Sequence, residues 1–346
     1  MIFAQIVVRY RVSLSTSAGR RYVILALKIS VSLVLLAILF SRIDVARLWT
    51  TAKRASPLWL GVALALYAVN VVASLWRWHV LLEAQEVEVP THKLAGSFLV
   101  ALFFNNFLPS NIGGDFFRIA DTAKFAKSKT VATTVILADR VMGVIALVLI
   151  AAIGATAAGA IHPAAVPIWP VWLWAGFVAG AAASAPVVLV PDGFGRLLRP
   201  LSVIHPEWVG GRIDNLTVIL SRFRRHPVRL TECFAGAVFV QGTMVVFYYA
   251  VILALHETVP FADLAVIVPI SFVIQLLPIS VSGFGVREAT FSLYFVRIGQ
   301  PVEAAILMSL VGQALIMLFS LSGAAVYVSR THHHPQQPPE RVSELR

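Results

Sequence analysis

Residues 131–158 read VATTVILADRVMGVIALVLIAAIGATAA, an apolar run whose only charges are Asp139 and Arg140. A helix needs about 20 mostly apolar residues to cross a bilayer, and inside lipid each backbone N–H and C=O must find its partner within the segment. Comparable runs cover about 22–40, 57–76, 168–190, 230–255 and 302–328. Composition agrees with this reading. Mean hydropathy is +0.82 and 13% of residues are charged, against about 25% in a soluble domain. The expected fold class is an all-α polytopic membrane protein.

Two further apolar segments, about 93–124 and 261–298, break in the middle. The first carries NNFLPSNIGGDFFRIA at 105–120, the second QLLPISVSGFGVREA at 275–289. A shift of 169 positions superposes them: Pro109 falls on Pro278, Gly113 on Ser282, Gly114 on Gly283 and Arg118 on Arg287. Upstream, Asn106 falls on Gln275 and Phe103 on Phe272. The pattern predicts an internal repeat. Three full spans separate the breaks, and an odd number turns the second copy upside down. The expected architecture is six spanning helices plus two re-entrant helical hairpins in an inverted repeat. Secondary transporters with this construction hold substrate where the interrupted helices meet.

The broken segments suit an anion. Pro109 and Pro278 end the incoming half-helices. Gly113, Gly114, Gly283 and Gly285 allow tight turns and close approach of a ligand to backbone. The outgoing half-helices are expected to begin near Asp115 and Val286, with free N–H groups and positive dipole ends at the tips. Helical side chains lean toward the N-terminus, so Arg118 and Arg287 reach back to those tips. Two helix N-termini and two guanidinium forks fit a phosphate. Asn106, Asn111, Gln275 and Ser282 complete the expected substrate site.

Asp139 and Arg140 lie within a span, where each charge costs roughly 2.5–3.5 kcal/mol at the centre. Intramembrane charges of this kind are functional partners by default. Helical neighbours point about 100° apart, so these two do not simply pair with each other. Asp139 can meet Arg118 or Arg287, and Arg140 can meet Asp115 or Glu288, giving an ion-pair network.

Other signals bound the function. A single cysteine, Cys233, excludes an internal disulfide and a cysteine metal cluster. No nucleotide loop is present, and neither metal nor cofactor is expected. The net charge of +11 is accounted for by basic cytoplasmic loops rather than by nucleic acid. Placing residues 1–21 inside also puts Arg77, Lys93, the arginines of 191–229 and those of the tail at 329–346 on the inner side. Arg42, Arg47, Lys53 and Arg54 run against that bias. Both termini are thus expected on the cytoplasmic face of the inner membrane, with 22–328 as the membrane domain and 329–346 as a disordered tail. In 191–229, Ile213, Leu216, Leu220 and Phe223 recur at helical spacing opposite arginines. They read either as a helix lying on the inner membrane surface or as an amphipathic connector. Trp49, Trp59, Trp76, Trp78, Trp169, Trp172 and Trp174 fit an aromatic belt.

FLPSNIGGDFFRI, LADRVMG and LPISVSGFGVREA together resemble the lysylphosphatidylglycerol synthase transmembrane-region family, the flippase-like membrane domain. The resemblance covers about residues 20–330. It departs from the family pattern at Asp139-Arg140, where Glu-Arg is expected. It implies movement of an anionic or aminoacylated lipid between leaflets, with 109–118 and 278–288 forming the central cavity. About 17 residues follow the last expected helix, which leaves no room there for a synthase domain. The implied partners are membrane lipids and a separate lipid-modifying or glycosyl-transferring enzyme.

Two other classes compete. A non-transporting partner of a lipid synthase would use the basic surface helix and tail. Undecaprenyl-diphosphate phosphatases also use two inverted re-entrant loops, and Ser110, Ser280 and Ser282 with Arg287 superficially match them. Phosphatase chemistry wants a general acid or base beside the nucleophile, and neither broken segment supplies a histidine next to these serines.

Overall fold

The computed structural model describes residues 53–107, 113–161, 169–200, 206–277 and 283–332, with Ser30, Thr50 and Ser280. The expected first span at 22–40 and the tail beyond 332 lie outside the described residues. So do Pro109, Asn111, Pro278 and Ser282.

Eleven helices occur among the described residues. They are α1 (Pro57–Glu83), α2 (Thr91–Phe107), α3 (Gly113–Ala126), α4 (Lys129–Ile161), α5 (Trp169–Leu189), α6 (Pro191–Leu198), α7 (Pro206–Arg225), α8 (Pro227–Ala254), α9 (Phe261–Gln275), α10 (Val286–Arg297) and α11 (Val302–His332). Five of them, α1, α4, α5, α8 and α11, are long and apolar enough to cross a membrane. The chain is an all-α polytopic membrane protein. Proline opens α1, α6 and α8, where its fixed φ suits the first turn and its missing N–H costs nothing.

The sequence lag of 169 reappears in the packing. It carries α1 onto α8, α2 onto α9, α3 onto α10 and α4 onto α11, within a few residues. Helix α2 packs on α11 while α9 packs on α4; α3 packs on α4 while α10 packs on α11. Exchanging the two four-helix units maps each of these contacts onto another. Helices α1 and α8 run antiparallel against each other. The Ser56 amide before α1 donates to the Ala254 carbonyl at the end of α8 (2.8 Å). Asn70 Nδ2 donates to Val240 O at mid-length (2.6 Å), and Cys233 Sγ donates to Arg77 O at the far end (3.5 Å).

Helix ends match as well. Glu86 after α1 and His256 after α8 both take left-handed φ, 58° and 57°. Beside them Val87 N donates to Leu82 O (3.0 Å) and Glu257 N donates to Ile252 O (3.2 Å). These are the six-to-one bonds that close a helix terminus. Gly154 on α4 and Gly323 on α11 are 169 positions apart. A Cβ on Gly154 would come closer than 3.0 Å to Ala265 backbone on α9; one on Gly323 would do the same to Leu99 backbone on α2. Glycine allows helix axes to approach this closely, a use small residues often have in membranes.

Each broken segment forms an antiparallel helix pair. In the first, Phe104 of α2 stacks on Phe117 of α3 with centroids 4.2 Å apart. In the second, Tyr294 near the end of α10 donates to Asp263 Oδ1 near the start of α9 (2.8 Å). The outgoing helices start at Gly113 and Val286. Their turns need glycine: Gly283 and Gly285 have φ of 80° and 82°, conformations that an L side chain resists.

Two apolar cores hold the bundle. One brings together Tyr67, Phe247, Tyr248, Phe291 and Phe295. The other gathers Trp78, Leu81 and Leu82 with Ile219, Leu220 and Phe223. The second core corrects the membrane-surface reading of 191–229. The apolar face of α7 is buried on the protein, tied by Gln85 Nε2 to Ile219 O (3.1 Å), so α7 is the amphipathic connector. By contrast α5 turns Val171, Trp172 and Val178 outward, as a lipid-facing helix does.

Candidate functional site

Two buried polar networks lie among the apolar helices. The first is built by α1, α3 and α4. Asp139 on α4 accepts from Arg77 Nε at 2.7 Å and from Arg118 Nη2 at 3.1 Å. Asp115, in the first turn of α3, lies 3.6 Å from Arg118 Nη1 and accepts from Arg140 Nε. Arg118 also lies over the Trp78 ring at 4.4 Å and near the Phe98 ring at 5.3 Å. Arg77, Asp115, Arg118 and Asp139 are all buried, whereas the Arg140 side chain is 35% exposed.

Counting charges within this network gives three arginines against two aspartates. Buried ions persist when they are paired and hydrogen-bonded. Among the described residues one positive charge is in excess, and Arg77 Nη1 and Arg118 Nε have no hydrogen-bond partner. Arg140 is the part-exposed member of the network.

The second network is built by α10 and α11 and is complete in itself. Arg287 is 1% exposed. Its Nε donates to Ser309 Oγ (2.7 Å), its Nη1 to Gln313 Oε1 and its Nη2 to Glu288 Oε1 (3.0 Å). Glu288 in turn accepts from Ser309 Oγ (2.6 Å) and, through Oε2, from the Gly285 amide at the start of α10 (2.7 Å). Charge and hydrogen bonding both balance. Gln313 Nε2 reaches Asn106 Oδ1 at 3.4 Å, tying α11 to the end of α2.

The two breaks also share how their helices end. Asn106 donates to Leu102 O (3.0 Å) and Gln275 donates to Ser271 O (3.0 Å), each to the carbonyl four residues back. The Gly114 amide donates to Asn105 Oδ1 (2.8 Å), and a Cβ on Gly283 would strike the Gln275 side chain. In both breaks an amide side chain on the incoming helix faces the glycine that opens the outgoing one.

The structure thus brings Arg118, Asp115, Asp139 and Arg140 into one network and Arg287 with Glu288 into another. Four contributors are not recognised from the sequence. The sequence reading places Arg77 in an inner loop at the end of a 57–76 span. Helix α1 continues to Glu83, so Arg77 stays inside the bundle. The sequence reading assigns Trp78 to an aromatic belt. It is fully buried beneath Arg118, while Trp76 and Trp172 are exposed as a belt requires. Ser309 and Gln313 sit in an apolar run; their spacing of four puts both on one helix face, a signal that was there to read.

A family model described as "Lysylphosphatidylglycerol synthase TM region" matches residues 23–323. No curated protein matches the chain. The chain belongs to the lysylphosphatidylglycerol synthase TM region family.

Proposed function

We propose that this member of the family carries the phosphate-bearing headgroup of an anionic phospholipid between the leaflets of the cell's inner membrane. The acyl tails stay in lipid and both chain termini are cytoplasmic. The observation that carries the reading is the first network: a buried cluster with three guanidinium groups, two carboxylates and two unbonded donor nitrogens. A phosphodiester accepts from Arg77 Nη1 and Arg118 Nε, the two donors left without a partner, in charge-assisted bonds. Arg77, Arg118 and Arg140 contact it, Asp139 positions Arg77 and Arg118, and Asp115 exchanges partners as the headgroup enters.

The reading rests as well on an inverted repeat with two re-entrant hairpins. The antiparallel α1–α8 pair and the contacts interchanged between α1–α4 and α8–α11 support it. Such repeats let one half rock against the other around a fixed site. In this scheme Arg287 braces the second half, because its donors already serve Ser309, Gln313 and Glu288. The concentration of arginine in 191–229 supports the cytoplasmic assignment.

The test is translocation in reconstituted vesicles. Labelled phosphatidylglycerol or phosphatidylcholine is placed in the membrane, and label in the outer leaflet is destroyed by an impermeant reductant. Protein that moves headgroups makes the inner-leaflet pool accessible, phosphatidylglycerol faster than phosphatidylcholine. Rates equal to those of protein-free vesicles for both lipids refute the proposal.

A further inference from the structure

We propose that the elbow between α3 and α4 binds the phosphodiester of an anionic phospholipid, at a site apart from the two buried networks. A cavity of about 330 Å³ opens there, lined by Ala120, Ala123, Lys124, Lys127, Ser128 and Lys129. Lys124 shares Asp121 with Arg330, at 3.0 and 3.2 Å. Lys127 and Lys129 have no acidic partner among the described residues. The rim therefore carries more positive charge than the single carboxylate near it balances.

Position makes the ligand a lipid. Lys129 is the first residue of the membrane-spanning helix α4, so the lysines stand at headgroup depth. Basic pockets between membrane helices hold the headgroups of anionic lipids, and the positive end of α4 adds to the attraction. Phe116, Ala120 and Ala123 follow at helical spacing along α3, and Phe116 is 67% exposed. They form an apolar track leading from the lysines into the membrane, which an acyl chain can follow and a soluble phosphate cannot use.

Backbone conformation gives a separate indication. Lys127 has φ of 50°, in the left-handed region, directly after α3. The corresponding turn after α10 gives that conformation to Gly299, φ 73°. Glycine takes it without steric cost, whereas a side chain does not. A lysine held there lines the cavity with Lys124 and Lys129.

The experiment uses the full chain in neutral detergent micelles, with dioleoylphosphatidylglycerol, dioleoylphosphatidylcholine and inorganic phosphate as probes. Binding is read by native mass spectrometry and by the rise in Tm. Wild type binds phosphatidylglycerol in preference to phosphatidylcholine. The double variant K127G/K129Q, lacking two interfacial charges, retains one phosphatidylglycerol fewer per protein, its affinity at the elbow falling about thirtyfold. Without lipid it melts no lower than wild type, since glycine relieves the backbone. Unchanged phosphatidylglycerol binding in this variant overturns the proposal. So does displacement of the lipid by equimolar inorganic phosphate, which would assign the pocket to a soluble anion. The readout is binding, so failure here leaves the translocation assay to stand or fall by itself.

Discussion

Arg77 Nε lies 2.7 Å from Asp139 Oδ1, joining the end of α1 to the middle of α4 inside the apolar bundle. Asp139 holds Arg118 with its other oxygen, so one carboxylate restrains two guanidinium groups. Replacing it by Asn leaves Arg77 buried without an anion and Arg118 with Asp115 alone. Breaking a buried pair from one side costs about 3–5 kcal/mol. Asp139→Asn is expected to lower thermal stability in detergent by that order. Combining it with Arg77→Met removes one stranded charge and recovers part of the loss. A double variant no more stable than Asp139→Asn alone contradicts the pairing.

Arg287 gives a second test of the same physics with a different outcome for its neighbour. Arg287→Ala strands Glu288, whose carboxylate is fully buried, and is expected to destabilise by about 3–5 kcal/mol. Arg287→Ala/Glu288→Gln removes both charges and is expected to unfold later than Arg287→Ala. Equal melting temperatures in circular dichroism would show that the charge of Glu288 is balanced by another group.

Arg140 separates transport from stability. Its side chain is 35% exposed, so Arg140→Ala is expected to fold and to melt near the wild-type temperature. A hydrogen bond to a charged group is worth about 1.5–3 kcal/mol, which makes the expected loss of phosphatidylglycerol translocation roughly tenfold to a hundredfold. A folded Arg140→Ala protein with wild-type vesicle rates removes Arg140 from the headgroup path.

The glycine crossings test the paired architecture. Gly154→Val and Gly323→Val each drive a side chain into neighbouring backbone, Ala265 in one case and Leu99 in the other. Overpacking of this kind costs about 1–3 kcal/mol. Both variants are expected to lose stability, whereas Gly242→Val, at a glycine with open space around it, is not. Tolerance at Gly154 and Gly323 would mean that the helices are further apart than described.

The amino-acid sequence exposes the repeat because both breaks spell it locally: an amide side chain, glycine and then arginine at one lag. The same local chemistry places the starts of α3 and α10, since glycine permits the turn and apolar periodicity resumes after it. Arg77 is harder to see. It lies between Trp76 and Trp78 at the end of an apolar run, a setting shared by residues that face headgroups. Only the continuation of α1 to Glu83 and the presence of Asp139 opposite make it interior. The division of labour between Arg118 and Arg287 is likewise tertiary. Both follow a glycine by a few residues, yet one meets two aspartates and the other meets Ser309, Gln313 and Glu288.

The enclosure of Arg287 has a mechanical corollary. Sliding α10 along α11 would pull the Arg287 guanidinium off Ser309 and Gln313 and the Glu288 carboxylate off Ser309 at once, all of them buried. Those two helices therefore travel as one rigid body. Displacement is left to the seams where α11 meets α2 and α4 meets α9, and there the helices approach most closely at Gly323 and Gly154.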